Sequence, residues 1–206
     1  MRQIATAVVA VDPAAPDAAA LARAVAVLHD GGLVAFPTET FYGLGVAAND
    51  PVALRRVFAV KGRSASKPLL VLVDSIAMAE RLAAEVTPRA RELMARYWPG
   101  PLTLVLRARP DLAPMLTAGT GTIGVRMSSH PVAHGLVRTL GAPVTAPSAN
   151  PEDGAPPTSA AQVLEAFGGA IDLILDGGPT TGGPASTVVD VTTAAARVLR
   201  AGAVVL

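Results

Sequence analysis

Short apolar runs alternate with longer segments that carry helix start signals, and this alternation constrains the fold more than any other feature of the chain. The apolar runs are short enough to favour strands. They cover residues 4–11, 33–36, 69–73, 102–108, 122–127, 143–146, 171–175, 187–191 and 197–200. Because strands and helices alternate and strands then crowd towards the end, we predict one α/β domain over residues 1–206, with a twisted mixed sheet and flanking helices.

The helical segments begin at residues that cap helices. An N-cap side chain accepts a hydrogen bond from the first turn, and proline is favoured at the first helical position. The predicted N-caps are Asp17, Asp50, Thr87 and Ser159, and further helical patterns cover residues 75–86 and 131–140. Ser159 is followed by Gln162, the spacing of a capping box.

Composition excludes several classes of protein. The net charge is +1 and the aromatic residues are 1 Trp, 2 Tyr and 4 Phe, so neither a strongly basic nucleic-acid binder nor a base-stacking surface is indicated. The absence of Cys excludes disulfides and thiolate catalysis. No apolar run reaches the ~18 residues of a membrane helix. The first 16 residues only faintly resemble a signal peptide, so we expect a cytoplasmic protein without a membrane partner.

Five stretches join apolar runs to glycine, proline, hydroxyl and basic residues. Ligands of open α/β sheets bind in the loops beyond strand ends, so these stretches are the candidate site. They are PTETFYGLG (37–45), KGRSASKPL (61–69), TIGVRMSSHP (122–131), APSANPEDG (146–154) and DGGPTTGGPASTVVD (176–190). In the first of them we predict that Gly43–Leu44–Gly45 forms a tight turn.

Three of these stretches each leave two interpretations open. Lys61, Arg63 and Lys67 either cap a helix C-terminus or form an anion site, in which the arginine fork would bind phosphate. Ser148 and Asn150 either form an ordinary turn or point the same way from an extended segment. The glycine-rich stretch 176–190 is either a surface loop or a backbone that approaches a ligand closely.

Several familiar motifs are absent. Gly119, Gly121 and Gly124 spell G-x-G-x-x-G, but a strand follows instead of the helix that a dinucleotide-binding fold requires. His130 and His134 lack the glutamate of a zinc protease motif and are more typical of a helix start. We therefore predict no protein-bound metal.

Taken in order, the five stretches resemble the YrdC-like family, whose enzymes make threonylcarbamoyl-adenylate. PTETFYGLG is similar to that family's P-T-[DE]-T-x-Y-G-L, KGR to its K-x-R motif and SAN to its S-x-N motif. The resemblance runs from about residue 15 to Arg200. It implies a single YrdC-like domain of the short form, with a concave, positively lined ligand face.

The resemblance also implies a reaction. L-threonine, bicarbonate and ATP, with Mg²⁺ carried by ATP and no organic prosthetic group, would give L-threonylcarbamoyladenylate and pyrophosphate. Separate partner proteins would transfer the threonylcarbamoyl group to the adenosine at tRNA position 37. Two alternatives stay open: a protein that binds double-stranded RNA or ribosomes without synthase activity, and a carbamoyl-adenylate enzyme with another acceptor.

Residue roles follow from the same resemblance. The implied phosphate-binding and catalytic residues are Lys61 and Arg63. The other implied ATP contacts are Thr122, Ser148, Asn150 and Arg200. The implied threonine contacts are Thr38, Tyr42, Arg126 and Ser186. Two features depart from the family's pattern: acids at Glu152 and Asp153, where a Ser-Gly pair is common, and Leu72, where many members have His. The role of Glu39 stays open.

Overall fold

The computed structural model describes residues 5–206, so residue 4 of the first predicted strand and residues 1–4 of the leader-like segment lie outside the described residues. The strands within this range are β1 (Ala7–Ala10), β2 (Val34–Pro37), β3 (Tyr42–Gly45), β4 (Val71–Leu72), β5 (Ala83–Glu85), β6 (Leu102–Ala108), β7 (Thr122–Arg126), β8 (Val144–Thr145), β9 (Leu173–Asp176), β10 (Thr187–Asp190) and β11 (Arg197–Arg200). The helices are α1 (Ala18–His29), α2 (Pro51–Lys61), α3 (Ile76–Leu82), α4 (Pro88–Tyr97), α5 (Pro114–Thr117), α6 (Pro131–Leu140) and α7 (Ala160–Phe167).

The strands form two mixed sheets, and the predicted mixed α/β class is confirmed. The smaller sheet has the order β1-β9-β2-β3, in which β2 and β3 form an antiparallel hairpin and the other pairs are parallel. The larger sheet has the order β11-β10-β6-β7-β4-β8, with β5 paired to β6. Its central register places Leu104 between Val125 and Val189, and all three side chains are fully buried on the core face.

Two isolated bridges, Gly43 with Ser148 and Ala47 with Val144, connect the sheets. On one side they involve β3, the edge strand of the smaller sheet, and the residues just after it, and on the other side β8 and the segment that leads out of it. We call this line of contact the seam. It places Ser148 of the S-x-N motif directly beside the first polar stretch.

The helices begin where the sequence predicts. The side chains of Asp17, Asp50, Thr87 and Ser159 each accept a hydrogen bond from a backbone N–H in the first turn of their helices. The capping box differs in one detail, because the Oε1 atom of Gln162 accepts from the N–H of Thr158, at 2.7 Å.

The prediction of a turn at Gly43–Leu44–Gly45 is wrong. These residues are buried in β3, and the chain turns earlier, where the N–H of Thr38 donates to the carbonyl of Phe41 at 3.1 Å. The glycine at 45 is needed for space and not for bending. A Cβ atom there would lie 2.6 Å from both Phe36 Cε1 and Val144 Cγ1.

Two further elements were not expected. The end of the predicted helix over 75–86 is instead β5, because Ala83 and Glu85 pair with the distant Ala108 and Arg107. The short helix α5 lies in a segment for which no element was predicted. Both depend on neighbours that are remote in sequence. Within residues 5–206, no helix is both long enough and apolar enough to cross a membrane.

Candidate functional site

A cavity of about 340 Å³ lies beside the seam, over one face of the larger sheet. Side chains alternate between the two faces of a strand, so residues two apart share a face. Thr103 and Val105 of β6 and Gly124 of β7 accordingly line the cavity, while the core residues between them point the other way. The register pairs Val105 with Gly124 and Thr103 with Val188, which also lines it.

Arg126, the last residue of β7, brings a buried positive charge to the cavity. Its Nε atom lies 3.8 Å from Oε1 of Glu39, and neither atom has a hydrogen-bond partner within residues 5–206. Burial lowers the pKa of Arg126, and the nearby Glu39 carboxylate opposes that shift. The hydroxyl of Ser128 donates to the second oxygen of Glu39. The guanidinium is thus held by charge and can still form the paired hydrogen bonds that a carboxylate ligand needs.

Ser186 and Arg200 meet at a second part of the wall. Arg200 donates from Nε and Nη2 to the Ser186 carbonyl, at 3.2 and 2.8 Å, and from Nη2 to the Ser186 hydroxyl at 3.0 Å. The hydroxyls of Ser186 and Thr103 are 2.9 Å apart. Burial lowers the pKa of Arg200. Sequence reasoning missed Thr103, although the alternation within 102–108 could have indicated it.

Thr38 and Tyr42 line the cavity from the smaller sheet. The Thr38 hydroxyl donates to the carbonyl of Phe41 at 2.7 Å and so fixes the turn between β2 and β3. The Tyr42 hydroxyl donates to the carbonyl of Gly178 at 2.7 Å. Burial, with the nearby Asp176 carboxylate, raises the pKa of Tyr42 well above its ordinary value. Tyr42 therefore acts as a neutral wall that also anchors the glycine-rich loop.

Arg63, Thr122 and Ser148 complete the predicted residues that line the cavity. Arg63 donates from Nη2 to the carbonyl of Pro68 at 2.9 Å, so its guanidinium lies across the loop after α2. Burial lowers the pKa of Arg63. The Thr122 hydroxyl lies 2.8 Å from that of Thr120.

Lys61 and Asn150 lie behind the cavity wall. The Lys61 ammonium group donates to the backbone carbonyl of Ser148 at 2.6 Å and to that of Asn150. Burial lowers the pKa of Lys61 to about 8. Asn150 donates from Nδ2 to the carbonyls of Pro151 and Gly154, at 2.8 and 2.6 Å. Both side chains thus shape the segment that carries Ser148, and their direct contact with a nucleotide stays a prediction.

The structure also shows the positions of Leu72 and Glu152, which depart from the family pattern, and of His130. Leu72 is fully buried in β4. Glu152 forms an ion pair with Lys67. His130 accepts a hydrogen bond at Nδ1 from the N–H of Val132 and caps α6, which agrees with the interpretation of this histidine as a helix start.

Comparison with known proteins decides the family. A family model named Sua5_yciO_yrdC, with the description "Telomere recombination", matches residues 26–202. The chain belongs to the Sua5/YciO/YrdC family.

Individual members of the Sua5/YciO/YrdC family are similar over most of this chain. Threonylcarbamoyl-AMP synthase of Bacillus subtilis (strain 168) is 44% identical over 169 residues, which are 82% of this chain and 49% of that protein. The enzyme of the same name from Thiobacillus denitrificans is 38% identical over 85% of this chain and 92% of its own length. The crystal structure of P. abyssi Sua5 complexed with L-threonine superposes with a TM-score of 0.92 at 42% identity, covering 96% of this chain and 58% of that one. The chain therefore spans about half the length of the Bacillus relative.

Proposed function

We propose that this protein is an L-threonylcarbamoyladenylate synthase, which converts ATP, L-threonine and bicarbonate to threonylcarbamoyl-AMP and pyrophosphate. The proposal is supported by family membership and by relatives that carry the synthase name. The observation that carries it is the content of the cavity, which gathers most of the residues expected to contact the substrates. They are Thr38, Tyr42, Arg63, Thr122, Arg126, Ser148, Ser186 and Arg200.

The amino-acid end of the proposed site is built around Arg126. A planar guanidinium can donate two parallel hydrogen bonds to a carboxylate, whereas an ammonium group acts as a point charge. The threonine carboxylate would therefore pair with Arg126. Thr38 and Ser186 line the same cavity, and their hydroxyls would contact the rest of the amino acid.

The nucleotide end contains Arg63, Thr122, Ser148 and Arg200. The threonine nitrogen first attacks bicarbonate and, with loss of water, forms a carbamate. A carbamate oxygen then attacks the α-phosphorus of ATP, and the bond from that phosphorus to the bridging oxygen breaks, so that pyrophosphate leaves. Such a transfer depends on positioning and on neutralisation of phosphate charge, and it needs no nucleophilic side chain.

Magnesium would enter with ATP. Across the described range, residues 5–206, there is no cluster of three His, Cys, Asp or Glu side chains that could hold a metal ion. Mg²⁺ binds phosphate oxygens and keeps several waters, so it would be held mainly by ATP itself and would neutralise phosphate charge there.

The later steps extend the same proposal. The labile adenylate would pass to separate proteins that transfer the threonylcarbamoyl group to adenosine at tRNA position 37. A direct contact with tRNA or double-stranded RNA would need a local basic surface, because the net charge of the chain is only +1. We propose that these reactions take place in the cytoplasm.

The decisive experiment measures pyrophosphate release from purified protein with ATP, threonine and bicarbonate, together with mass-spectrometric detection of the adenylate. We expect release only when all three substrates are present. Release without a requirement for threonine would contradict the proposal. Salt-dependent RNA binding without adenylate formation would favour the RNA-binding alternative.

A further inference from the structure

Glu152 joins two loops at the edge of the cavity. One oxygen of its carboxylate accepts a hydrogen bond from the backbone N–H of Ser64 at 2.9 Å, and the other forms an ion pair with the ammonium group of Lys67. Its own backbone N–H donates to the carbonyl of Lys61 at 2.8 Å. The carboxylate of the 150–154 loop is therefore bound by the loop that follows α2.

The groups that bind this carboxylate are those of an anion site. A backbone N–H and a lysine ammonium group converge on it, and the pKa of Glu152 is held below its ordinary value by the hydrogen bonds from Lys67 and Ser64 and by the nearby charge of Arg63. Phosphate oxygens are bound by the same kinds of donor. Glu152 thus occupies a position that suits a phosphate group.

This anion site adjoins the cavity through Arg63. Arg63 lines the cavity, while its Nε and Nη2 atoms donate to the carbonyls of Lys67 and Pro68, at 3.4 and 2.9 Å. Pro68 of the loop after α2 and Ser148, two residues before the 150–154 loop, line the cavity too. A polyphosphate bound at Arg63 would therefore lie beside the loop that carries Ser64 and Lys67.

We propose that Glu152 is an internal competitor for the phosphates of ATP, because its carboxylate occupies the anion site formed by the Ser64 N–H and Lys67 beside Arg63. This inference rests on the proposed synthase function, in which ATP enters the cavity. Phosphates must displace the carboxylate or bind next to it, and both routes lower the affinity for ATP. Displacement is feasible because the Lys67 side chain is 53% exposed and such surface ion pairs contribute little stability.

The sign of the effect separates this role from a purely structural one. If Glu152 competes with phosphate, then removing its charge strengthens ATP binding, since the like-charge repulsion disappears and a neutral amide competes less strongly for Lys67 and the Ser64 N–H. If Glu152 only held the two loops in place, its removal would loosen Arg63 and weaken ATP binding.

The test compares Glu152→Gln with Asp153→Asn. Asp153 is the neighbouring acid, it is exposed, and it has a φ of 66°, a conformation that asparagine adopts readily, so this variant makes the same change in net charge on the same loop. Calorimetry measures the binding of ATP and of inorganic tripolyphosphate. We expect Glu152→Gln to bind both about fivefold more tightly, and Asp153→Asn to stay within about twofold of wild type.

Two further measurements locate the effect. We expect Lys67→Met to weaken tripolyphosphate binding by about threefold or more, because the anion site loses one of its two donors. In steady-state assays, Glu152→Gln should lower the KM for ATP and leave the KM for threonine unchanged.

Unchanged or weaker binding of both probes by Glu152→Gln would overturn the inference, and so would an equal gain in Asp153→Asn. Unaltered tripolyphosphate binding by Lys67→Met would overturn it as well. The proposed function fails separately, through the absence of pyrophosphate release by the wild-type protein. In that case the tripolyphosphate measurement still decides the role of Glu152.

Discussion

Glu39 neutralises a charge that the fold buries beside the cavity. Its carboxylate lies next to Arg126, whose side chain is only 4% exposed, and it is itself held by the Ser128 hydroxyl. A buried charge without a partner is strongly unfavourable. The structure therefore places the Glu39 carboxylate against Arg126, whereas Glu39 is not among the residues that line the cavity.

Replacing Arg126 by lysine should separate threonine binding from ATP binding. We expect Arg126→Lys to raise the KM for threonine by about 10- to 100-fold, because a point charge cannot reproduce two parallel hydrogen bonds to a carboxylate. The KM for ATP should stay within about twofold in the same assay. Arg138→Lys, at an exposed position of α6, is the matched control. A wild-type KM for threonine in Arg126→Lys would contradict the assignment.

Lys61 should make the stability of the protein depend on pH. Its pKa is about 8 in the folded protein and 10.5 when unperturbed, so between these values the unfolded chain binds more protons. Stability should accordingly rise with pH in this window. Urea unfolding at pH 7.5 and 9.5 should show a gain for wild type that exceeds the gain for Lys61→Met by about 1–2 kcal/mol. Equal gains in both proteins would show that Lys61 titrates normally.

At the scale of elements, β3 contains a glycine that is required by close packing and not by a turn. The predicted turn was inferred from the flexibility of glycine, but Gly45 lies in a buried strand packed against Phe36 and Val144. Composition cannot distinguish these cases, because one contact comes from the partner strand β2 and the other, Val144, from a strand about 100 residues away. The helix starts were predictable, since a cap depends on residues within one turn.

Gly45→Ala should therefore destabilise the fold. The added methyl group would lie 2.6 Å from two side-chain carbons, and we expect a loss of about 2 kcal/mol in the free energy of unfolding, measured with urea. Gly43→Ala is the control in the same strand, where the nearest atom would be 3.4 Å away. A similar loss in both variants would mean that the strand, and not the close contact, is responsible.

At the scale of the whole molecule, the motifs predicted which residues meet but not how each one contributes. Arg126, Ser186 and Thr38 lie in separate polar stretches, and the structure brings them to one cavity. Lys61 was assigned to phosphate and Asn150 to the nucleotide, and the structure shows that their donor atoms bind backbone carbonyls of residues 148–154. The orientation of a side chain depends on packing across the seam, which sequence spacing does not record. The division of the strands into two sheets likewise depends on packing between distant segments.

The larger sheet has one further consequence, which concerns how this site could change. Its core face holds the continuous row Val189–Leu104–Val125, while the alternate residues Thr103, Val105 and Gly124 face the ligand space. The core-facing positions of these strands thus contribute to stability, and the alternate positions line the ligand space. A methyl group added at Gly124 would meet no atom closer than 3.6 Å. The cavity-facing side of this sheet can therefore be varied one side chain at a time while the core face keeps its residues, which makes it a natural starting point for engineering the ligand preference of the cavity.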